Sequence, residues 1–210
     1  MIGGENYSGD KTMAEFLLFN PAKMEKEDLY FYFTGREKIL RDVLNDLVQF
    51  KSRQHYLIIG SRGMGKTYLL VLIENKVKDK PELSKNYIPI PLLEEQFFIT
   101  GMEDLLYWIL KTYNEKGGGE VELKERGEET YETLYEKVAQ VRRMGKRFLV
   151  LFDNFDRFVK AFPDKELEMK KLRRLLITED FMTFVAAAPS FFEELERYEK
   201  PLYRHFAPIY

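Results

Sequence analysis

The sequence predicts an α/β protein with three layers, in which a parallel sheet is covered by helices on both faces. Short apolar runs of strand length alternate with longer segments in which apolar residues recur every three to four positions. A glycine-rich segment, residues 60–67, also stands directly between such an apolar run and such a helical segment. Alternating strands and helices indicate a parallel sheet, because the crossover helices cover its faces.

The elements of the first half follow from periodicity and from residues that end helices. A helix is predicted from residue 35 to about residue 51, since its apolar positions keep a period of 3.6. Residues 56–59 form a buried strand, and the helix that follows residues 60–67 closes near Pro81. Residues 87–93 form a second strand. Its two prolines favour an edge of the sheet, because proline cannot donate a backbone hydrogen bond.

The second half of the chain begins with a helix that carries Trp108, and a flexible break at residues 117–119 separates this helix from the later elements. The predicted elements of this half are a helix over 102–113, a helix over 128–144, a strand over 147–152, a helix over 165–177, a strand over 181–187, a short helix over 190–198 and a strand over 206–210.

Length and composition indicate one globular domain. The 210 residues are 45% hydrophobic and carry a net charge of −2, which favours neither nucleic acid nor an anionic membrane as a partner. Residues 21–210 form the predicted core domain. Residues 1–20 are a small, polar N-terminal extension that we expect to be partly flexible.

Residue usage excludes several kinds of site. With no cysteine and only two histidines, the chain offers no disulfide or thiolate metal site and almost no material for a zinc site. No apolar run reaches transmembrane length, and the first residues lack the basic start and apolar segment of a signal peptide. We therefore expect a cytoplasmic protein without a membrane partner.

Residues 60–67 match the pattern G-x-x-x-x-G-K-[ST] at every fixed position, which predicts a phosphate-binding loop for ATP. Glycines let backbone N–H groups turn towards phosphate oxygens, and the following helix adds the favourable end of its dipole. The lysine would bridge the β and γ phosphates, and the threonine hydroxyl would bind Mg²⁺. The predicted nucleotide contacts here are Gly60, Ser61, Arg62, Gly63, Met64, Gly65, Lys66, Thr67 and Tyr68.

A second motif is the apolar strand over 147–152, which ends in Asp153 and resembles a Walker B segment. Parallel sheets place their ligands at the carboxyl ends of the strands, so Asp153 should lie beside the phosphate loop and help to hold Mg²⁺. An aspartate at this point can also cap the helix that follows the strand. The two interpretations are compatible.

Taken together, these motifs resemble AAA+-like and STAND-type ATPases, in particular the origin-recognition and archaeal-ATPase branch. The resemblance spans about residues 21–210 and rests on five segments in order: 33–37 (FTGRE), 60–67 (GSRGMGKT), 91–96 (PLLEEQ), 152–156 (FDNFD) and 201–206 (PLYRHF). It implies a P-loop NTPase fold with a five-strand parallel sheet in the order 5-1-4-3-2. It also places Gly35 and Arg36 near the adenine, although a turn and a helix-start charge explain them equally well. The helical lid that follows such cores would be absent from these residues.

Two positions depart from the family pattern. Asn154 stands where related ATPases have the glutamate that orients the attacking water, and an amide cannot accept that proton. Asp156 is a candidate replacement. On the sensor strand the usual polar residue is missing, and Ser190 is the nearest hydroxyl. Phosphoryl transfer depends on positioning and charge, so these losses should slow hydrolysis more than they weaken binding.

Arg204 resembles the arginine finger that such proteins present to a neighbouring subunit, and a surface salt bridge explains it equally well. The basic flank of the helix over 165–177 could contact DNA phosphates, although a solvated helix face is the simpler explanation. The expected function is therefore an ATP-binding, Mg²⁺-dependent switch with slow hydrolysis and with self-association or a larger complex as its setting. The alternatives are an active ATPase coupled to DNA loading, transposition or defence, and a non-hydrolysing nucleotide-binding module.

Overall fold

A computed structural model describes seven stretches of the chain, residues 21–49, 54–93, 99–116, 119–143, 145–178, 181–196 and 202–210. The predicted N-terminal extension, the acidic residues of segment 91–96 and most of the triple-glycine break lie outside them.

Five strands form one parallel sheet, as the sequence predicted. They are β1 (His55–Ile59), β2 (Tyr87–Leu92), β3 (Arg147–Phe152), β4 (Met182–Ala188) and β5 (Phe206–Ile209). Their spatial order is β2-β3-β4-β1-β5, which is the predicted order 5-1-4-3-2 counted from the other edge. Every pairing is parallel, so each connection must cross over the sheet.

The helices cover the faces of this sheet. They are α1 (Lys26–Phe31), α2 (Glu37–Val48), α3 (Lys66–Asp79), α4 (Pro81–Ser84), α5 (Met102–Glu115), α6 (Tyr131–Arg143), α7 (Phe155–Lys160), α8 (Lys165–Thr178) and α9 (Glu193–Glu196). The long helices agree with the predicted ones within a few residues at each end. The short helices α1 and α4 were not predicted, and the helix expected after the strand over 147–152, which is α7, was given no bounds, because six residues or fewer are too short to establish a helical period. Among the described residues, no helix combines the length and apolarity needed to cross a membrane.

Alternate residues of each strand pack into two apolar clusters on opposite faces of the sheet. On β3, Phe148, Val150 and Phe152 join the cluster beneath α5, α6 and α8. Leu149 and Leu151 join the cluster beneath α2 and α3. Because both faces are covered, the strand carries apolar residues without alternation, which is typical of parallel sheets.

The prolines of β2 lie at an edge of the sheet, as predicted, and the hydrogen bonding shows how they are tolerated. The carbonyls of Asn86 and Leu92 accept from the N–H groups of Arg147 and Asp153, at 2.8 and 3.0 Å. Even-numbered residues of β2 therefore face β3, and Pro89 and Pro91 direct their nitrogens away from it. A proline costs a ladder hydrogen bond only where a neighbouring strand needs its donor.

His55, at the start of β1, is a buried histidine that joins three elements. The Phe184 N–H of β4 donates to its Nδ1 at 3.1 Å, so Nε2 carries the hydrogen and donates to the Leu176 carbonyl of α8 at 3.0 Å. Burial lowers the pKa of His55 to about 4, which the Leu176 bond opposes and the charge of His205 reinforces. The neutral ring is therefore part of the native fold.

We predict that His55 makes stability depend on pH. The folded pKa of about 4 lies below the unfolded value near 6.5, so the unfolded chain binds the proton more readily. This contribution is complete above pH 6.5 and is lost as the pH falls towards 4, which amounts to about 2 kcal/mol between pH 7 and pH 5. Urea unfolding at both pH values measures it. The His55→Gln variant should lack this share of the pH dependence, and an unchanged dependence would contradict the prediction.

Candidate functional site

The glycine-rich segment forms a tight loop between β1 and α3. Gly63 and Gly65 have φ values of 84° and 72°, which residues with a β-carbon rarely adopt. A β-carbon at Gly60 would lie 3.1 Å from the Met64 sulfur, which is a tight contact with a flexible side chain. The Gly60 N–H donates to the Ala188 carbonyl of β4 at 3.3 Å. The backbone of the loop therefore requires glycine most clearly at positions 63 and 65.

Lys66 is the first residue of α3, and its side chain folds back over the loop. Its ammonium group donates to the carbonyls of Gly60 at 2.7 Å and Ser61 at 3.1 Å. Burial lowers the pKa of Lys66, the charges of Asp153 and Asp156 oppose this, and the charge of Arg36 adds to the lowering. The lysine is thus a partly desolvated cation at the mouth of a loop, where an anion would be favourably bound.

The Thr67 hydroxyl donates a hydrogen bond to the Asp153 carboxylate. Asp153 is buried at the end of β3, and its second oxygen accepts from the Asn154 N–H at 2.8 Å. A hydroxyl and a carboxylate in contact are the oxygen ligands that Mg²⁺ prefers, and this ion keeps several waters and needs few protein ligands. The pair therefore fits Mg²⁺. The described residues contain no group of three histidine, aspartate or glutamate side chains that could hold a metal ion by themselves.

Asn154 turns the chain from β3 into α7. Its φ of 51° and ψ of 41° are left-handed, a conformation that asparagine tolerates better than most residues with a side chain. Asn154 is itself the N-cap position of α7. The alternative interpretation of Asp153 as the helix cap therefore does not describe this turn, because the Asp153 carboxylate faces Thr67 and the N–H of Asn154.

Asp156 lies in the first turn of α7 and is only 5% exposed. One carboxylate oxygen accepts from Lys160 at 3.0 Å, and the other is buried with no hydrogen-bond partner. The residue acts electrostatically on Lys66, so the predicted candidates Lys66, Asp153 and Asp156 share one site.

The segment before α2 packs against the start of α3. Gly35 has a φ of 85°, and its N–H donates to the Glu37 carboxylate at 3.0 Å. The Tyr68 ring stacks on Phe33 with 6.3 Å between the ring centroids, and its hydroxyl donates to the Leu29 carbonyl at 2.5 Å. Phe33 belongs to the FTGRE segment, and no sequence pattern predicts its contact with Tyr68.

Arg36 has a half-exposed side chain, but its Nη1 atom is buried without a hydrogen-bond partner. The charge of Arg36 lowers the pKa of Lys66, so the predicted pair Gly35 and Arg36 lies on the phosphate-loop side of the domain.

Ser190 and Arg204 lie at opposite ends of the parallel strands. Ser190 is exposed two residues beyond the carboxyl end of β4, and β4 ends beside β1 where the phosphate loop begins. Arg204 is exposed, and its guanidinium lies 5.2 Å from the Tyr203 ring. It precedes β5, whose first residue pairs with His55 at the start of β1. Within one chain, Arg204 therefore lies at the amino ends of the strands, away from the loop.

The basic flank of α8 is largely balanced by its own surroundings. Lys170 pairs with Glu166 at 2.5 Å, and Lys171 pairs with Glu168 at 2.7 Å. The Arg174 guanidinium lies 4.1 Å from the Tyr135 ring. A solvated, internally paired helix face explains these residues better than a phosphate-binding surface does.

The fold and the loop define a P-loop nucleotide-binding domain of the ATPase class. A family model of an AAA domain matches residues 48–195, which include the phosphate loop, β3 and Asp153. The chain belongs to this AAA domain family. No protein with a curated description is similar enough in sequence to refine the assignment.

Several solved structures share the fold. The Walker-type ATPase PABY2304 of Pyrococcus abyssi is 17% identical, with a TM-score of 0.56 over 88% of this chain and 53% of that one. The ORC1 protein of Aeropyrum pernix, solved in complex with DNA, is 17% identical, with a TM-score of 0.54 over 76% of this chain and 40% of that one. The ORC2 protein of the same organism, solved as ADPNP-ADP complexes, is 17% identical, with a TM-score of 0.53 over 73% and 40%. This chain thus spans about half or less of the length of these proteins.

We predict that the left-handed turn at Asn154 limits which residues this position accepts. Asn154→Gly should unfold at a urea concentration close to that of the wild type, because glycine adopts this conformation freely. Asn154→Glu should be less stable than Asn154→Gly by about 1 kcal/mol, because a longer side chain is strained there. Equal stability of the two variants would show that the turn does not require this conformation.

Proposed function

We propose that this AAA domain binds ATP with Mg²⁺ and uses it chiefly as a switch, with slow hydrolysis. The observation that carries the proposal is the contact between Thr67 and Asp153, which joins the phosphate loop to the end of β3. Lys66 lies over the same loop as a partly desolvated cation. Lys66 and Thr67 begin α3 and Asp153 follows β3, and the two elements converge where a triphosphate and its metal ion would bind.

The proposed roles follow from the chemistry of each group. Lys66 and the loop N–H groups bind and orient the phosphates, and Thr67 and Asp153 hold the metal ion. The ion itself supplies charge that neutralises the phosphate oxygens. Further proposed nucleotide contacts are Gly35, Arg36, Tyr68 and Ser190, together with the rest of the loop, namely Gly60, Ser61, Arg62, Gly63, Met64 and Gly65.

Slow turnover is supported by the two positions that depart from the family pattern. Asn154 carries an amide that cannot take a proton from water, and its side chain belongs to a left-handed turn. The last residues of β4, Val185 and Ala186–Ala188, are apolar and buried where related proteins have a polar sensor. Binding needs neither group, whereas positioning of the attacking water does.

An active ATPase coupled to a larger assembly is the second candidate, and the buried carboxylate of Asp156 favours it. Arg204 lies away from its own phosphate loop, so any role in turnover would be played in a neighbouring copy of the chain. DNA as a partner is supported only by analogy with the DNA complex of ORC1, since the basic residues of α8 are paired within the chain. A cytoplasmic location and the absence of a membrane partner stay predictions from the sequence.

We predict that Lys66→Ala abolishes measurable ATP binding and leaves the circular dichroism spectrum unchanged. The side chain contributes charge to the ligand, and its contacts are with loop carbonyls rather than with the core. Titration calorimetry with Mg²⁺ and ATP measures the effect. Thr67→Ala is the companion variant and should weaken the Mg²⁺-dependent part of the affinity. Unaltered binding in the Lys66 variant would refute the proposed function.

We also predict that Arg36→Gln weakens ATP binding by about tenfold, because the guanidinium would lose a charged contact with the nucleotide. Arg41→Gln, on the exposed side of α2, is the matched control and should bind like the wild type. Calorimetry on both variants tests the assignment. Equal affinities would place Arg36 outside the nucleotide site and leave its structural explanation, a charge at the start of α2.

A further inference from the structure

We propose that Asp156 is the catalytic residue that accepts a hydrogen bond and then a proton from the water that attacks the γ-phosphate. The inference rests on the proposed function, since it needs ATP in the phosphate loop. In this proposal, slow hydrolysis depends on the carboxylate of Asp156, which lies two positions after the place of the usual glutamate, position 154.

The geometry around Asp156 shows a carboxylate with one occupied and one unused oxygen. Lys160, one turn later on α7, donates to Oδ2 at 3.0 Å, whereas Oδ1 is buried and has no hydrogen-bond partner. A buried acceptor that is left unpaired is costly, and such groups are found mainly where a ligand or a water completes them. The Oδ1 atom of Asp156 is thus a buried acceptor that no donor of the described residues reaches.

Asp156 lies near the phosphate loop, both along the chain and in its electrostatic effect on Lys66. Asp153 contacts Thr67, and Asp156 follows it by three residues on the same turn. The charge of Asp156 also acts on Lys66, which lies over the loop. Asp156 Oδ1 and Arg36 Nη1 are both buried without a hydrogen-bond partner among the described residues, and both residues act electrostatically on Lys66.

Asn154 explains why the carboxylate appears at this position. Its left-handed conformation starts α7 immediately after β3, so Phe155 enters the core and Asp156 occupies the first helical turn. In this arrangement position 154 provides the turn and position 156 provides the charge. A second carboxylate is therefore present on this segment, although position 154 carries an amide.

The proposed step balances as a hydrolysis. The water oxygen forms a bond to the γ-phosphorus, and the bond from that phosphorus to the oxygen bridging the β- and γ-phosphates breaks. The bridging oxygen and its electron pair leave with ADP. The water proton passes to Asp156 and from there to solvent, which leaves ADP, inorganic phosphate and the original carboxylate.

A structural explanation would make Asp156 the ion-pair partner of Lys160. The Lys160 side chain is 61% exposed, and such pairs contribute little to stability because water screens them. Lys160→Gln therefore separates the two explanations. It removes the ion pair and leaves the unused oxygen of Asp156 in place.

The test compares the full chain, Asp156→Asn and Lys160→Gln in three measurements. Calorimetry with Mg²⁺ and a non-hydrolysable ATP analogue gives the affinity, single-turnover release of labelled phosphate with excess protein gives the rate, and urea unfolding without nucleotide gives the stability. We expect Asp156→Asn to bind the analogue within twofold of the wild type, to be no less stable, and to hydrolyse ATP at least tenfold more slowly. Lys160→Gln should keep a rate within threefold of the wild type.

Three outcomes overturn the inference: an unchanged rate in Asp156→Asn, equal losses of rate in Asp156→Asn and Lys160→Gln, or binding to the wild type without any single-turnover hydrolysis. Failure of the wild type to bind ATP would instead refute the proposed function. If Asp156→Asn does not fold, Asp156→Glu takes its place, because it keeps the charge and moves it by one methylene. It must then slow hydrolysis by more than threefold with unchanged binding.

Discussion

The contact between Thr67 and Asp153 is the interaction on which the rest of the site depends. It joins the first turn of α3 to the end of β3. The strand that precedes α3 is β1, which is not adjacent to β3, because β4 lies between them. The contact forms because all three strands end at the same end of the sheet, where Ile59 pairs with Ala188 and Phe152 pairs with Ala186. The sheet order therefore determines which side chains lie beside the loop.

The surroundings of the Lys66 ammonium group would favour a bound anion. This group lies on two loop carbonyls, which are weaker partners than phosphate oxygens, and burial lowers its pKa. The charge of Arg36 adds to this lowering, and the charges of Asp153 and Asp156 oppose it. Charged phosphate oxygens would be stronger partners for the ammonium group than the neutral carbonyls are.

Much of this fold could be predicted from the sequence, because its signals are local and regular. The long helices and the buried strands differ from the predicted bounds by only a few residues, and the phosphate loop follows from fixed spacing. The prolines of β2 correctly indicated an edge strand. What remained hidden depends on contacts between distant segments, such as the stack of Phe33 on Tyr68 and the unpaired nitrogen of Arg36. Helix α1 was not predicted and α7 was expected without bounds, because the few apolar residues of each fit more than one period.

Asn154 illustrates why a motif position cannot be interpreted by side-chain chemistry alone. In the sequence, Asn154 stands where related ATPases have a glutamate, and this difference predicts slow ATP hydrolysis. In the structure, the same residue is a left-handed turn that ends β3 and begins α7, and this backbone role favours asparagine over glutamate. A single position thus ends the strand and directs the chain so that Asp156, the next carboxylate along the segment, falls in the first turn of α7. A motif position is therefore interpreted from its backbone conformation as well as from its side chain.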